Sequence, residues 1–383
     1  VRIKVAHVVT RLDFGGAQQN TLHTVRGLDP ERFDAFLICG AGGFFDPEVR
    51  ADPRLRAVFL DSLVREVSPL RDFLALLELW KTFQNERPDV VHTHSSKAGI
   101  LGRLAAALAG VPVIVHTYHG FGFHGRQAPL VKTLYALLER VCARFTTRLV
   151  FVSRANADYA ERHGLGRAAD ALVIRSGVGL SEFPASVDAA KLKMSAGIGM
   201  HKPVVVSIGN LKPQKNAGDF VAAAALAAAK VPEARFVFIG DGPERRALEA
   251  RAFALGLEGK FLFLGWRRDG AKWLAASDVF ALTSLWEGLP RALVEALRTG
   301  LPAVCYAVDG VVDVLRDGEN GFLVPAGDVP AFAERLVRLL TDPDLRRRLG
   351  AAAAGSIGPE FDIDAMVRAQ EALYERLLGE RRA

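Results

Sequence analysis

Residues Trp286–Gly300, WEGLPRALVEALRTG, carry the densest set of side chains that could do chemistry. Pro290 suits the first position of a helix and Gly300 the position just past its end, which leaves Glu287 in the preceding loop and Glu295 in the second turn. Backbone N–H groups of Gly288, Leu289, Arg291 and Ala292 at such a helix start can cradle a phosphate, Pro290 having none to offer. A diphosphate would repel carboxylates beside it, so Glu287 and Glu295 read as hydrogen-bond acceptors for sugar hydroxyls on either side. Acids that merely complement the helix dipole are the competing reading, and it fits Glu287 better than Glu295.

Two further loops point to phosphate. Asp13–Phe14–Gly15–Gly16–Ala17 follows an apolar run and precedes helical spacing from Gln18, so glycine backbone there can approach an anion or simply turn a strand into a helix. In Asn210–Lys215 the lysine stands beside a helix that Asn216 would cap, with Asp219 at the third position. An ammonium at that dipole end is favourable when an anion lies between them, and otherwise is a solvated loop lysine.

Histidines form another group. His92 and His94 are two apart and share one side of a strand end, followed by Ser95, Ser96 and Lys97, while a second run ends His116–Thr117–Tyr118–His119. No carboxylate or cysteine at ligand spacing accompanies them, so the expectation is no metal and hydrogen bonding to ligand hydroxyls. A satisfied structural role is the alternative for His92 and His116. Leu130–Phe145 sets Leu134, Leu137, Leu138 and Val141 on one helical face, with Arg140, Arg144 and Arg148 at intervals of four. That stretch reads either as a basic helix lying on an anionic membrane or as a core-packed helix with solvated arginines.

The elements that position these residues are short apolar runs alternating with helical patterns, the signature of parallel α/β sheets. Arg2–Val9, Ala35–Cys39, Ala57–Leu60, Val90–His94, Val113–Thr117 and Leu149–Val152 make one set. Val204–Gly209, Arg235–Ile239, Phe261–Leu264, Val279–Thr283, Ala303–Tyr306 and Gly321–Val324 make a second. Ser181–Pro203, with Pro184, Gly197 and Gly199, separates them and predicts a boundary near residue 190, giving domains 1–190 and 191–363. Asp364–Leu378 has helical spacing, and a helix over 364–383 would complete the first domain. Ligands of such sheets bind beyond the carboxyl ends of the strands, where the residues above fall.

Composition excludes several classes. The 383 residues are 50% hydrophobic, enough for two cores. Cys39, Cys142 and Cys305 are too dispersed for a disulfide framework or a zinc site. The apolar run Phe220–Ala229 falls short of a membrane span, and the first strand leaves no room for a signal peptide, so the expectation is a cytoplasmic protein, with peripheral contact at the inner membrane face through 130–148. A net charge of +6 favours phosphate or anionic lipid, while no aromatic-rich basic platform supports nucleic acid. Asp13–Ala17 lacks the GxGxxG fingerprint of a nicotinamide-dependent Rossmann enzyme.

Together, the Gly15–Gly16 loop, DVVHTHSSKAGILGR (89–103), HTYHGF (116–121), GNLKPQKN around Lys215 and EGLPRALVE (287–295) resemble family 4 of the retaining glycosyltransferases over nearly the whole chain. The last segment matches that family's paired glutamates with seven residues between. The resemblance implies a GT-B architecture, two Rossmann-like doubly wound domains facing a cleft, and transfer from a nucleotide diphosphate sugar, with uracil the expected base, to a glycan or lipid-linked acceptor in cell-surface polysaccharide synthesis. It implies catalytic roles for His119, Lys215 and Glu287. Donor contacts are implied for Gly15, Gly16, Asn210, Lys215, Gly240, Arg267, Glu287, Gly288, Leu289, Pro290 and Glu295, and acceptor contacts for His92, His94, Ser95 and Lys97. No cofactor is called for, the nucleotide sugar being substrate. The chain departs from the family where Asn210 replaces a frequent arginine and where Asp309 and Asp313 replace a glycine and a later glutamate. A non-catalytic nucleotide-sugar-binding scaffold is the rival, against which Lys215, His119 and Glu295 all speak by being present.

Overall fold

A computed structural model describes residues 2–122, 129–166, 171–183 and 187–382; Pro184 lies outside them. The chain divides into two units, Val1–Gly177 with Ile363–Ala383, and Val178–Asp362. The division comes earlier than residue 190 because Val178 bridges to Asp362 and its N–H bonds to the carbonyl of Phe361, tying this stretch to the second unit.

The first unit holds strands β1 (Ile3–Arg11), β2 (Phe33–Gly40), β3 (Arg56–Leu60), β4 (Val90–His94), β5 (Val113–Tyr118), β6 (Arg148–Phe151) and β7 (Leu172–Val173). They form a parallel sheet in the order β3-β2-β1-β4-β5-β6-β7. The sequence reading did not foresee β7, whose two residues carry no pattern of their own and pair only at the sheet edge. Helices cover both faces, so β1 and β4 are buried on both, their polar His7, His92, Thr93 and His94 included. The terminal helix Ile363–Arg382 belongs to this unit: Met366, Val367, Leu373, Tyr374 and Leu377 join Val5, Val90 and Val115 in one core cluster. Each such fully buried side chain is worth roughly 1.5–3 kcal/mol over its exposed state.

The second unit repeats the plan with β8 (Val204–Ile208), β9 (Arg235–Ile239), β10 (Phe261–Phe263), β11 (Val279–Leu282), β12 (Ala303–Tyr306) and β13 (Gly321–Val324), ordered β10-β9-β8-β11-β12-β13. Its core includes Phe236, Phe261, Tyr306 and Phe332 with Phe220 and the alanines of helix Ala217–Lys230. In each unit the strand order reverses once, between β1 and β4 and between β8 and β11. Loops leaving the carboxyl ends of those strands diverge there and open a crevice for ligands.

Candidate active site

In the second unit the reversal brings together the loop after β8 and the loop after β11. Thr283, just past β11, donates its hydroxyl to the carbonyls of Lys215 (3.2 Å) and Asn216 (2.9 Å), and Leu285 N–H bonds to the Gln214 carbonyl at 2.9 Å. Gln214 Nε2 returns a bond to the Trp286 carbonyl at 2.9 Å. So stitched, Lys215 Nζ lies 2.5 Å from Glu287 Oε1, both side chains largely buried. The anion beside the ammonium is thus a carboxylate of this chain. Asp309 accepts the Glu287 N–H at 2.8 Å and fixes the loop from the far side.

Helix Arg291–Arg298 begins one residue later than predicted, with Pro290 as its cap, and Gly300 follows it at φ 74. Glu287, Gly288, Leu289 and Pro290 are buried in the loop before it. Glu295 lies 3.8 Å from Arg291; loss of solvent raises its pKa against that attraction, and Glu182 adds to the rise. Asn216 does precede its helix, but in a left-handed conformation (φ 46), and its amide donates to Asp219 at 2.7 Å instead of capping the backbone. Asn210 sits in the same loop as Lys215, its carbonyl taking the Lys212 N–H at 3.0 Å. Gly240, at φ 134, is obligatory: a Cβ there would stand 1.8 Å from the Gly209 carbonyl oxygen. Arg267 is held bidentately by Asp269, both contacts 2.7 Å.

In the first unit Thr10, at the end of β1, and Ser95, after β4, join hydroxyls at 2.8 Å across the reversal. Ser95 has φ 64 and starts the helix Ser96–Leu108, and Gly15 stands just before the helix Gly16–Gly27. The histidines share a network. His7 Nδ1 lies 3.1 Å from His94 Nε2, and His94 Nδ1 lies 3.1 Å from His119 Nε2. His92 bonds Tyr374 at 2.6 Å and Thr117 at 2.7 Å. Burial holds His7 at a pKa of about 3 and His119 at about 4, and lowers His92 and His94 well below their ordinary value, so the cluster is neutral at pH 7.

The residues expected to contact the acceptor all have partners within the chain. His92 is fully buried with both ring nitrogens bonded, and Lys97 Nζ meets Asp72 at 2.5 Å and the Glu66 carbonyl. His94 is buried as well, its two ring nitrogens facing His7 and His119. His116 is bonded to Thr93 at 2.8 Å. His7, His92 and His94 each offer a ring nitrogen within 4.8 Å of the others, yet the nitrogens of all three are engaged by hydrogen bonds to side chains. His7, Tyr374 and Gln370 escaped the sequence reading. A polar residue at the centre of the apolar run VAHVV was the signal for His7; nothing local marks the other two.

Helix Pro129–Ala143 packs against its unit through Ala136, Glu139 and Cys142, while Leu130, Leu134, Leu137 and Val141 of the predicted apolar face are exposed. The arginine stripe does not form: Arg140 bonds the His163 carbonyl at 2.7 Å, Arg144 lies past the helix end and Arg148 opens β6. Among the described residues no helix is long and apolar enough to cross a membrane.

Two parallel-sheet units, each with polar residues gathered at its reversal point, define a two-domain α/β protein of the GT-B kind. The chain belongs to the glycosyltransferases: residues 15–177 match the glycosyl transferase 4-like domain and residues 188–355 the glycosyl transferases group 1. It is 37% identical over 345 residues, 89% of each chain, to the UDP-Gal:alpha-D-GlcNAc-diphosphoundecaprenol alpha-1,3-galactosyltransferase of Escherichia coli. Over 367 residues it is 26% identical to the N,N'-diacetylbacillosaminyl-diphospho-undecaprenol alpha-1,3-N-acetylgalactosaminyltransferase of Campylobacter jejuni, covering 92% of this chain and 94% of that one. In fold it is similar to Anabaena Alr3699/HepE solved with UDP and glucose, at a TM-score of 0.85 and 22% identity, covering 98% of this chain and 100% of that one.

Proposed function

We propose that the chain is a retaining, metal-independent hexosyltransferase that moves a sugar from a UDP-sugar to a diphospholipid-linked saccharide. The observation that carries this reading is the placement of Lys215, with Glu287, at the reversal point of the second sheet, supported by the acceptor class named for both relatives. In this scheme Lys215 leaves or shares Glu287 to meet the donor diphosphate, helped by the start of helix Arg291–Arg298, and Glu295 holds the ribose. Positive groups fixed where the leaving diphosphate gathers charge supply most of the rate. The bond from the anomeric carbon to the diphosphate oxygen breaks, the acceptor oxygen bonds to that carbon from the same face, and its proton passes to the departing phosphate. In this reading the exposed leucines of Pro129–Ala143 are the first unit's contact with the membrane that holds such an acceptor, on its cytoplasmic side.

Calorimetric titration with UDP and GDP in EDTA, on the wild type and on Lys215→Ala and Glu295→Ala, tests the donor site. Micromolar UDP binding weakened at least about tenfold by both changes is expected. Transfer from UDP-galactose to a GlcNAc-diphospholipid, with the anomeric configuration read by NMR, tests the rest. An inverted product would sink the retaining mechanism, and absence of binding to either nucleotide by folded protein would bring the scaffold reading forward.

A further inference from the structure

The network in the first unit has a direction. Thr24 donates its hydroxyl to the Asn20 carbonyl at 2.9 Å, so its oxygen receives Gln370 Nε2 at 3.2 Å, and Gln370 Oε1 faces Tyr374. Tyr374 gives its one proton to that oxygen at 3.1 Å. Its phenol oxygen must then accept at its other contacts, from His92 Nδ1 at 2.6 Å and from His7 Nε2 across the longest link, 3.5 Å. A neutral imidazole has one donor and one acceptor nitrogen. With its proton on Nε2, His7 accepts at Nδ1 from His94 Nε2, and His94 accepts at Nδ1 from His119 Nε2, each at 3.1 Å.

The end of this chain of donations is His119 Nδ1, which carries no proton. Among the described residues Nδ1 is cut off from solvent and has no hydrogen-bond partner, and the same holds for both polar atoms of the buried Asn20 side chain. His119 and Asn20 line one cavity with Thr117, Ser176 and Gln370, and it leaves about 10 Å³ for the centre of a water-sized group. That is room for one water or one hydroxyl, and the walls offer the acceptor and donors such a group requires.

We propose that Tyr374, oriented by Gln370 on the terminal helix, is a positioning residue that sets the tautomer of His119 through His7 and His94, so that His119 presents a bare Nδ1, beside Asn20, to a hydroxyl of the bound ligand. The identity of that ligand as a saccharide rests on the proposed function; the direction of the relay does not. The relay starts on the terminal helix Ile363–Arg382 and ends just past β5, so that helix contributes proton order as well as packing.

Histidine ¹⁵N shifts of the full chain at pH 7, with His119 assigned by substitution, read the tautomer directly. The expected result is Nε2 protonated and Nδ1 bare in the wild type, and mixed tautomers at His119 in Tyr374→Phe and in Gln370→Leu, the second leaving the phenol in place should the first disturb packing. Turnover should fall about tenfold in kcat, with donor KM within about twofold. Protonated Nδ1 in the wild type, or an unchanged His119 tautomer in both folded variants, would overturn the relay. Loss of all turnover in the wild type would instead count against the glycosyl-transfer reading, while the shifts would still decide the relay.

Discussion

At the first reversal point the polar side chains are neutral and deeply buried: His7, His92, His94, Thr117 and Tyr374 satisfy one another. At the second they are charged and set in loops, with Lys215 against Glu287 and Arg267 against Asp269. A neutral network tolerates removal from water as long as each donor meets an acceptor, whereas buried charges require partners of opposite sign. The first arrangement orders protons and holds a shape. The second pairs each cation with a carboxylate of the chain. The two units should therefore fail under different insults.

Acid gives the widest separation. Well above pH 6.5 the buried histidines are neutral folded or unfolded, and their contribution to stability is complete. Below it the unfolded chain takes up protons that the folded one refuses until His119 titrates at about 4 and His7 at about 3, so stability is lost progressively over that window. For His7 alone the shift corresponds to about 5 kcal/mol. The second unit has a single histidine, the exposed His201, and its lowered groups, Asp241 and Asp269, matter only at carboxylate pH. Hydrogen exchange resolved by peptide at pH 5 should show Val90–Tyr118 opening before Val204–Leu282. Equal protection of both segments would remove the proposed difference.

The one fully buried ion pair of the described first unit sharpens the same contrast. Arg103 Nη2 meets Glu139 Oε2 at 2.5 Å, and Tyr118 donates to that oxygen at 2.6 Å. Glu139→Ala leaves a buried guanidinium unpaired, at a cost of about 3–5 kcal/mol, visible as a large drop in the first unit's melting temperature. A smaller loss with Glu139→Gln, which keeps an acceptor, would assign part of the effect to hydrogen bonding. UDP affinity, by contrast, should not change.

Lys215→Ala reverses that pattern. Turnover should fall about 10²–10³-fold with the fold intact, because a fixed cation at the leaving group is lost. A melting temperature that drops while turnover survives would make Lys215 a strut.

The two regions were also unequally legible in the sequence. Glu287, Glu295 and Lys215 sit in compact segments whose prolines and glycines announce loop and helix, so local patterns located them before any tertiary contact was known. Alternation of apolar runs likewise located every strand except the edge pair Leu172–Val173. Pairing of Lys215 with Glu287, and of Arg267 with Asp269, was not visible, since short motifs say which residues are near an anion but not which anion they keep in its absence. The histidine network was hidden for a different reason. It joins His7, His92, His119 and Tyr374 through contacts up to 367 residues apart, and its Thr24–Gln370 contact spans 346. Only strand order places β1 beside β4, and strand order is set by crossover packing that no single segment encodes.

The smallest expected effect probes whether the charged site is tuned for charge or for shape. Asp309 holds the Glu287 N–H at 2.8 Å and adopts φ 36, a left-handed conformation that asparagine also accepts readily. Asp309→Asn can keep both the turn and the hydrogen bond while removing one negative charge from the surroundings of Lys215. If charge dominates there, UDP binding should tighten by about two- to fivefold, an effect that shrinks as salt rises because exposed charges are screened. Asp309→Ala removes the hydrogen bond as well and leaves a residue poorly suited to positive φ, so the loop before Glu287 loosens and UDP binding should weaken by about tenfold. Opposite signs from the two substitutions would show that the second unit's site depends on electrostatic balance laid over a fixed backbone. Equal weakening in both would mean that Asp309 serves the backbone alone, and the second site would then resemble the first in being held by hydrogen-bond geometry more than by charge.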